Sequence, residues 1–186
     1  MSDLTNIKEV LQQCASVPIS LLDGIGYDGK CDLVADVLFP VLGWDSDNNY
    51  QTPADGQFME YMEWKEPYLD FDKFALIKQR GIAIEDEFLE HYAQICGDDD
   101  DEDDDFDGTD INMMFDAMIQ KEMARFEAMR ELFFNYFNEQ LAGHGLKLVE
   151  LGSHENAFFL LVHNNDDDIK KLTEVFANYD VAVSAG

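Results

Sequence analysis

Residues 146–163 read LKLVELGSHENAFFLLVH, and this stretch decides the fold class. Two apolar runs, 146–151 and 157–163, flank the turn signal GSHEN, the pattern of an antiparallel hairpin. A strand with one wet face alternates apolar and polar residues, whereas one apolar at nearly every position is covered on both faces. AFFLLVH is of the second kind, so residues 157–163 belong in the middle of a sheet.

Downstream, NNDDDIKKLTEVFANYDVAVS (164–184) supplies a helix and a last strand. Asn164 or Asn165 is the expected N-cap, and Asp166, Asp167 and Asp168 place negative charge at the positive end of the helix dipole. Leu172, Val175 and Phe176 form the apolar face, and residues 180–184 read as a short strand. The C-terminal order is thus strand, strand, helix, strand.

Upstream, residues 109–145 read as one helix of about thirty residues, capped by Thr109 or Asp110 and stopped by Gly143 or Gly145. Its stripe runs through Met118, Met123, Phe126, Met129, Phe133, Phe137 and Leu141 and is broadened by Phe115, Ile119, Leu132, Phe134 and Tyr136. Much of this helix is therefore expected to be buried. Further helices are expected at 3–15, 31–43, 71–79 and 85–95, with Pro40 kinking or shortening the second and Gly81 separating the last two. FMEYMEW (58–64) fits a strand or one helical turn, and its aromatic content favours the strand. The expected fold is α+β: a small, mostly antiparallel sheet with the long helix and the N-terminal helices on one side, in a single domain spanning 1–186 with an acidic, solvated and mobile loop expected at 97–108.

Forty Asp and Glu stand against twelve Lys and Arg, a formal net charge of −28, while 46% hydrophobic residues leave ample material for a core. Nine of the twelve residues in GDDDDEDDDFDG (97–108) are acidic, yet 30 of the 40 acids lie outside 98–110. The acidity therefore belongs to the whole chain. Such a surface repels phosphate backbones and anionic lipid and attracts cations and basic proteins. The three cysteines, Cys14, Cys31 and Cys96, are widely spaced and odd in number, which points to reduced thiols in the cytoplasm. The opening MSDLTNIKEVLQQ has neither a basic start nor an apolar core of the signal-peptide kind, and no apolar run reaches 18 residues.

Four features could carry chemistry. A calcium loop needs oxygens at positions 1, 3 and 5, glycine at 6 and a bidentate Glu at 12. Asp103, Asp105, Asp107 and Gly108 supply the first half, but position 12 is Met114, which cannot ligate. GIGYDG (24–29) has the spacing of a dinucleotide fingerprint, but Pro18 interrupts the strand it requires, so it reads as a loop. His91, His144, His154 and His163 are scattered, without metal-site or nucleophile spacing, and His163, ending an apolar run, reads as a capping or satisfied histidine. Met113, Met114, Met118, Met123 and Met129 could build an adaptable surface, but are expected to fill the core.

The leading expectation is a non-enzymatic acidic protein that meets a basic protein partner, as an inhibitor, an immunity protein or a mimic of nucleic-acid charge. Asp98, Asp99, Asp100, Asp101, Glu102, Asp103, Asp104, Asp105 and Asp107 are the candidate contacts, with Asp45, Asp47 and Asp166–Asp168 beside them. The alternatives are a divalent-cation site or metal-dependent enzyme using Asp103, Asp105 and Asp107, and an assembly protein using the Met-rich helix.

Overall fold

The computed structural model describes residues 4–43, 58–63, 74–97, 111–152 and 156–186. Among them lies a four-stranded antiparallel sheet in the order β1-β3-β2-β4, formed by β1 (Met59–Glu63), β2 (Leu146–Leu151), β3 (Asn156–His163) and β4 (Val183–Ser184). The α+β class expected from the hairpin stretch is the class observed. β3 is flanked by β1 on one side and β2 on the other, and its side chains from Ala157 to Val162 divide between two apolar layers.

One layer packs on Met59, Val149, Leu151, Leu160 and Val162. It is built from α1 (Thr5–Ala15), α2 (Ile19–Leu22), a π-helical segment (Leu33–Leu38), α3 (Phe39–Leu42) and α7 (Asp166–Ala177). The other packs on Met62, Leu148, Ala157, Phe159 and Leu161. It is built from α4 (Ala75–Lys78), α5 (Asp86–Gly97) and α6 (Ile111–Ala142). The helices therefore cover both faces, not one as expected. The cause is the period of two along a strand: because β3 is apolar at successive positions, each face demands its own cover.

Local sequence accounts for the element ends. Asn165 caps α7 by accepting the Asp167 N–H at 2.9 Å. Past α6, Gly145 takes a left-handed φ of 69°, which turns the chain directly into β2. Asp32 caps the π-helical segment by accepting from the N–H groups of Val34 and Ala35, both at 2.8 Å. The wide-turn geometry passes to α-helix at Phe39, one residue before Pro40, whose missing N–H disturbs the ladder where the sequence places it. Thr109 and Asp110, expected to cap α6, lie outside the described residues, as do residues 71–73 of the helix expected at 71–79.

The α6 side of the sheet holds an aromatic core. Phe133 lies 4.7 Å from Phe137 and 5.1 Å from Phe159, ring centre to ring centre, and Phe88 stacks on Tyr136 at 4.2 Å. Two acids, Glu60 and Glu150, are buried on this side, both opposite Phe159 in the strand register. Glu60 accepts the Ala75 N–H at 2.9 Å, at the start of α4. Glu150 accepts from Arg130 Nε at 2.8 Å and Nη2 at 2.6 Å. Arg130 Nη2 also donates to Ser184 Oγ at 2.8 Å, and its guanidinium lies 5.3 Å from the centre of the Phe134 ring. One side chain of α6 thus fastens the helix to β2 and β4.

Removing one partner of such a pair leaves a charge stranded away from water. Arg130→Ala is expected to lower the unfolding free energy by about 3 kcal/mol, read by urea titration. Glu122→Ala, which breaks the exposed Arg125–Glu122 pair, is expected to cost less than about 1 kcal/mol. The joint change Arg130→Met with Glu150→Leu is expected to recover most of the first loss.

Candidate functional sites: an exposed helical stripe and a polar seam

The expectation that the methionines of α6 fill the core fails for three of them. Met129 is buried, but Met113, Met118 and Met123 are exposed, together with Phe115 and Ile119. Length explains this. A helix of 32 residues extends about 48 Å, whereas a strand of eight residues extends about 27 Å. Only part of α6 can rest on the sheet. Its C-terminal half does so through Phe133, Phe134, Phe137 and Leu141, all buried. Its N-terminal half continues the same stripe in the open.

The sequence also hid a seam on the other side of the sheet. α1 ends at Ala15, and Ser16 adopts a left-handed conformation, φ 55° and ψ 27°. The N–H groups of Ser16 and Val17 both turn back to the Leu11 carbonyl, the geometry of a helix C-cap. Ser16 Oγ then lies 2.7 Å from His163 Nε2 at the end of β3, and His163 Nδ1 lies 3.2 Å from Asp168 Oδ2 in the first turn of α7. Cys14 Sγ approaches Asp168 Oδ1 at 3.8 Å, and Lys171 donates to Gln13 Oε1. His163, read as a satisfied histidine, is one. Its partners are 147 residues upstream and five downstream, and only the second separation leaves a local trace.

Serine, histidine and aspartate in this order form the relay of a hydrolytic triad. Acyl transfer, however, takes much of its rate from donors aimed at the developing oxyanion. This turn offers none: the N–H groups of Ser16 and Val17 are spent on Leu11, and Pro18 has none to give. The geometry instead joins three elements, tying the end of α1 to β3 and α7.

Burial pushes the Cys14 thiol above its ordinary value, and the neighbouring Asp168 carboxylate adds to the shift. Burial likewise raises Cys96. Tyr92 is raised by burial first and then by Cys96 beside it. All three cysteines are free, and Cys31 alone is exposed. Among the described residues no three His, Cys, Asp or Glu side chains converge to hold a metal.

The remaining candidates divide simply. Asp98, Asp99, Asp100, Asp101, Glu102, Asp103, Asp104, Asp105 and Asp107 lie outside the described residues, and so do Asp45, Asp47 and His154. At α7, Asp166 and Asp167 are exposed, while Asp168 turns toward His163 and Cys14. GIGYDG follows the short helix α2, not a strand, and the first N–H groups of the next helical segment are occupied by Asp32. No phosphate-binding helix end is left there. His91 and His144 are exposed and far apart in the fold's element order.

No family model, no curated protein and no solved structure matches this chain. Among the described residues no helix is long and apolar enough to cross a membrane.

Two outcomes are expected from the seam and the thiols. Ser16→Gly is expected to be about 1 kcal/mol more stable than Ser16→Ala, because both lose the hydroxyl and only glycine relieves the left-handed backbone; thermal or urea unfolding reads the difference. A thiol reagent at about pH 8 is expected to modify Cys31 rapidly, with Cys14 and Cys96 reacting only as the protein unfolds. The pH dependence has a definite sign. The unfolded thiols ionise near 9.0 while Cys14 and Cys96 stay protonated in the fold. Their contribution to stability is therefore complete below that pH and falls as the pH rises through it.

Proposed function

We propose that this chain is a non-enzymatic acidic protein that captures a basic protein partner, of the inhibitor, immunity or nucleic-acid-charge-mimic kind, in the reducing cytoplasm. The observation that carries the reading is the net charge of −28 combined with where the cations go. The chain has three arginines, and each is engaged by its own fold. Arg80 donates to the Leu76 carbonyl, Arg125 to Glu122 and the Cys96 carbonyl, and Arg130 to Glu150. The ion pairs of Arg125 and Arg130 cancel charge for charge, so the net charge of −28 is the field left for a partner. Complementary fields speed association and reject like-charged competitors.

In this reading the carboxylates from Asp98 to Asp107 act by long-range steering, with Asp166 and Asp167 adding to the field at α7. A second reading, an assembly component that uses the Met-rich helix, draws on the exposure of Met113, Met118 and Met123.

The test is a salt series on the full chain with a lysine-rich basic protein as probe. Affinity is expected to fall at least about tenfold between 50 and 200 mM salt, and deletion of residues 98–107 is expected to weaken binding and flatten that dependence. Affinity that ignores salt, or a deletion without effect on either quantity, overturns the reading.

A further inference from the structure

The acidic reading leaves the short-range part of recognition unassigned, and the overhang of α6 supplies a surface for it. At 3.6 residues per turn, Phe115, Ile119 and Phe126 fall in the same arc of about 40° as the buried Phe133 and Phe137. Met118 and Met123 edge that arc. The sequence has therefore written one apolar face along the whole helix, and the sheet uses only its C-terminal half. Phe115, Met118, Ile119 and Met123 are each 55–60% exposed. Four large apolar side chains on neighbouring turns form a patch of the kind that marks a contact surface. Methionine, unbranched and polarisable, suits a surface that must accommodate a partner's side chains.

Connectivity sets the charge around this patch. α5 ends at Gly97, with Cys96 Sγ 3.8 Å from Met129 Sδ and Arg125 donating to the Cys96 carbonyl. α6 begins at Ile111. The chain between Gly97 and Ile111 is thus fastened to α6 at two levels about 21 Å apart along the helix axis. That chain carries ten acids and no base. In sequence this acidic tract ends at Asp110, five residues before Phe115, so the chain that leads into the stripe is strongly anionic.

We propose that the exposed stripe of α6, formed by Phe115, Met118, Ile119 and Met123, is the docking face for a cationic amphipathic helix of the partner protein. The inference rests on the acidic-capture reading and gives that partner its chemistry. A helix laid alongside α6 at the usual 8–10 Å spacing meets the stripe with apolar residues three and four apart. Its lysines and arginines then face the neighbouring carboxylates. A second copy of this chain is the poorer occupant, because like tracts of ten acids would be brought together across the contact.

The test uses the full chain and two synthetic peptides of equal length, composition and charge. One places its leucines on one helical face and its lysines on the other; the other disperses the leucines. The facial peptide is expected to bind at least about tenfold tighter than its isomer at about 150 mM salt. Phe115→Gln, Ile119→Gln and Met123→Gln together are expected to abolish that preference while leaving the weak binding of the isomer intact. Glutamine keeps good helix propensity and these side chains lie outside the core, so an unchanged melting curve confirms that the variant is folded. Equal binding of both peptides, untouched by the triple variant, overturns this inference and leaves acidic capture standing. Failure of either peptide to bind even at low salt overturns acidic capture itself. A dimer of the unaltered chain that the triple variant dissociates, and that the facial peptide does not compete away, overturns the inference in favour of self-association.

Discussion

The structure depends on keeping β3 dry on both faces. Its side chains point alternately into two layers, so the sheet needs helices above and below it, and this chain supplies them from opposite ends of the sequence. α1 and α7 close one face and α6 with α5 the other. In so acidic a protein the hazard is a carboxylate caught in either layer. Among the described residues two acids are buried, Glu60 and Glu150, and each has a donor. They lie on either side of Phe159, so the most densely aromatic part of the core is bounded by acids whose partners come from α4 and α6. The Arg130–Glu150 contact is the more demanding, because a desolvated charge is tolerated only with good geometry. It fixes the register of α6 over the sheet.

That register leaves α6 overhanging. A helix longer than the strands it covers must either bend or continue into the open, and the seat formed by Arg130, Phe133 and Phe137 determines which of its turns meet the sheet. Among the described residues, α6 has no buried side chain before Met129. The apolar residues of those earlier turns would ordinarily be replaced by polar ones, as they are on the exposed faces of α7. They keep the period of the buried half instead, which is the physical reason for reading them as a surface and not as surplus length.

Much of this was legible in the sequence because the signals were local. The uninterrupted apolar run of β3, the Asn165 cap with its three following aspartates, and the glycine after α6 each lie within a few residues of the element they define. What was not legible depended on distant partners. Helical period shows that α6 has an apolar face but not which of its turns find cover, so the expectation of buried methionines fails at Met113, Met118 and Met123. Both-sided cover follows from β3 alone, but nothing local says which face α1 will choose. The Ser16–His163 contact spans 147 residues, and only an unremarkable serine before Val17 and Pro18 marks its first half. The candidate acids from Asp98 to Asp107 are legible as charge, and charge by itself specifies no geometry.

Two ranges of interaction are therefore combined in one molecule. Charge acts over a distance of about 8 Å or more at physiological salt and is weakened by ions. Apolar contact acts only at closest approach and is indifferent to ions at these concentrations, each square ångström removed from water contributing about 25 cal/mol. An acidic exterior alone would attract every basic protein it met, with little to choose among them. An apolar stripe alone would invite the chain's own copies. In the proposed capture the acids would oppose self-contact at the stripe while drawing in cations, and the stripe would select among those cations by the pattern of their apolar residues. Such selectivity would arise because neither term is sufficient by itself.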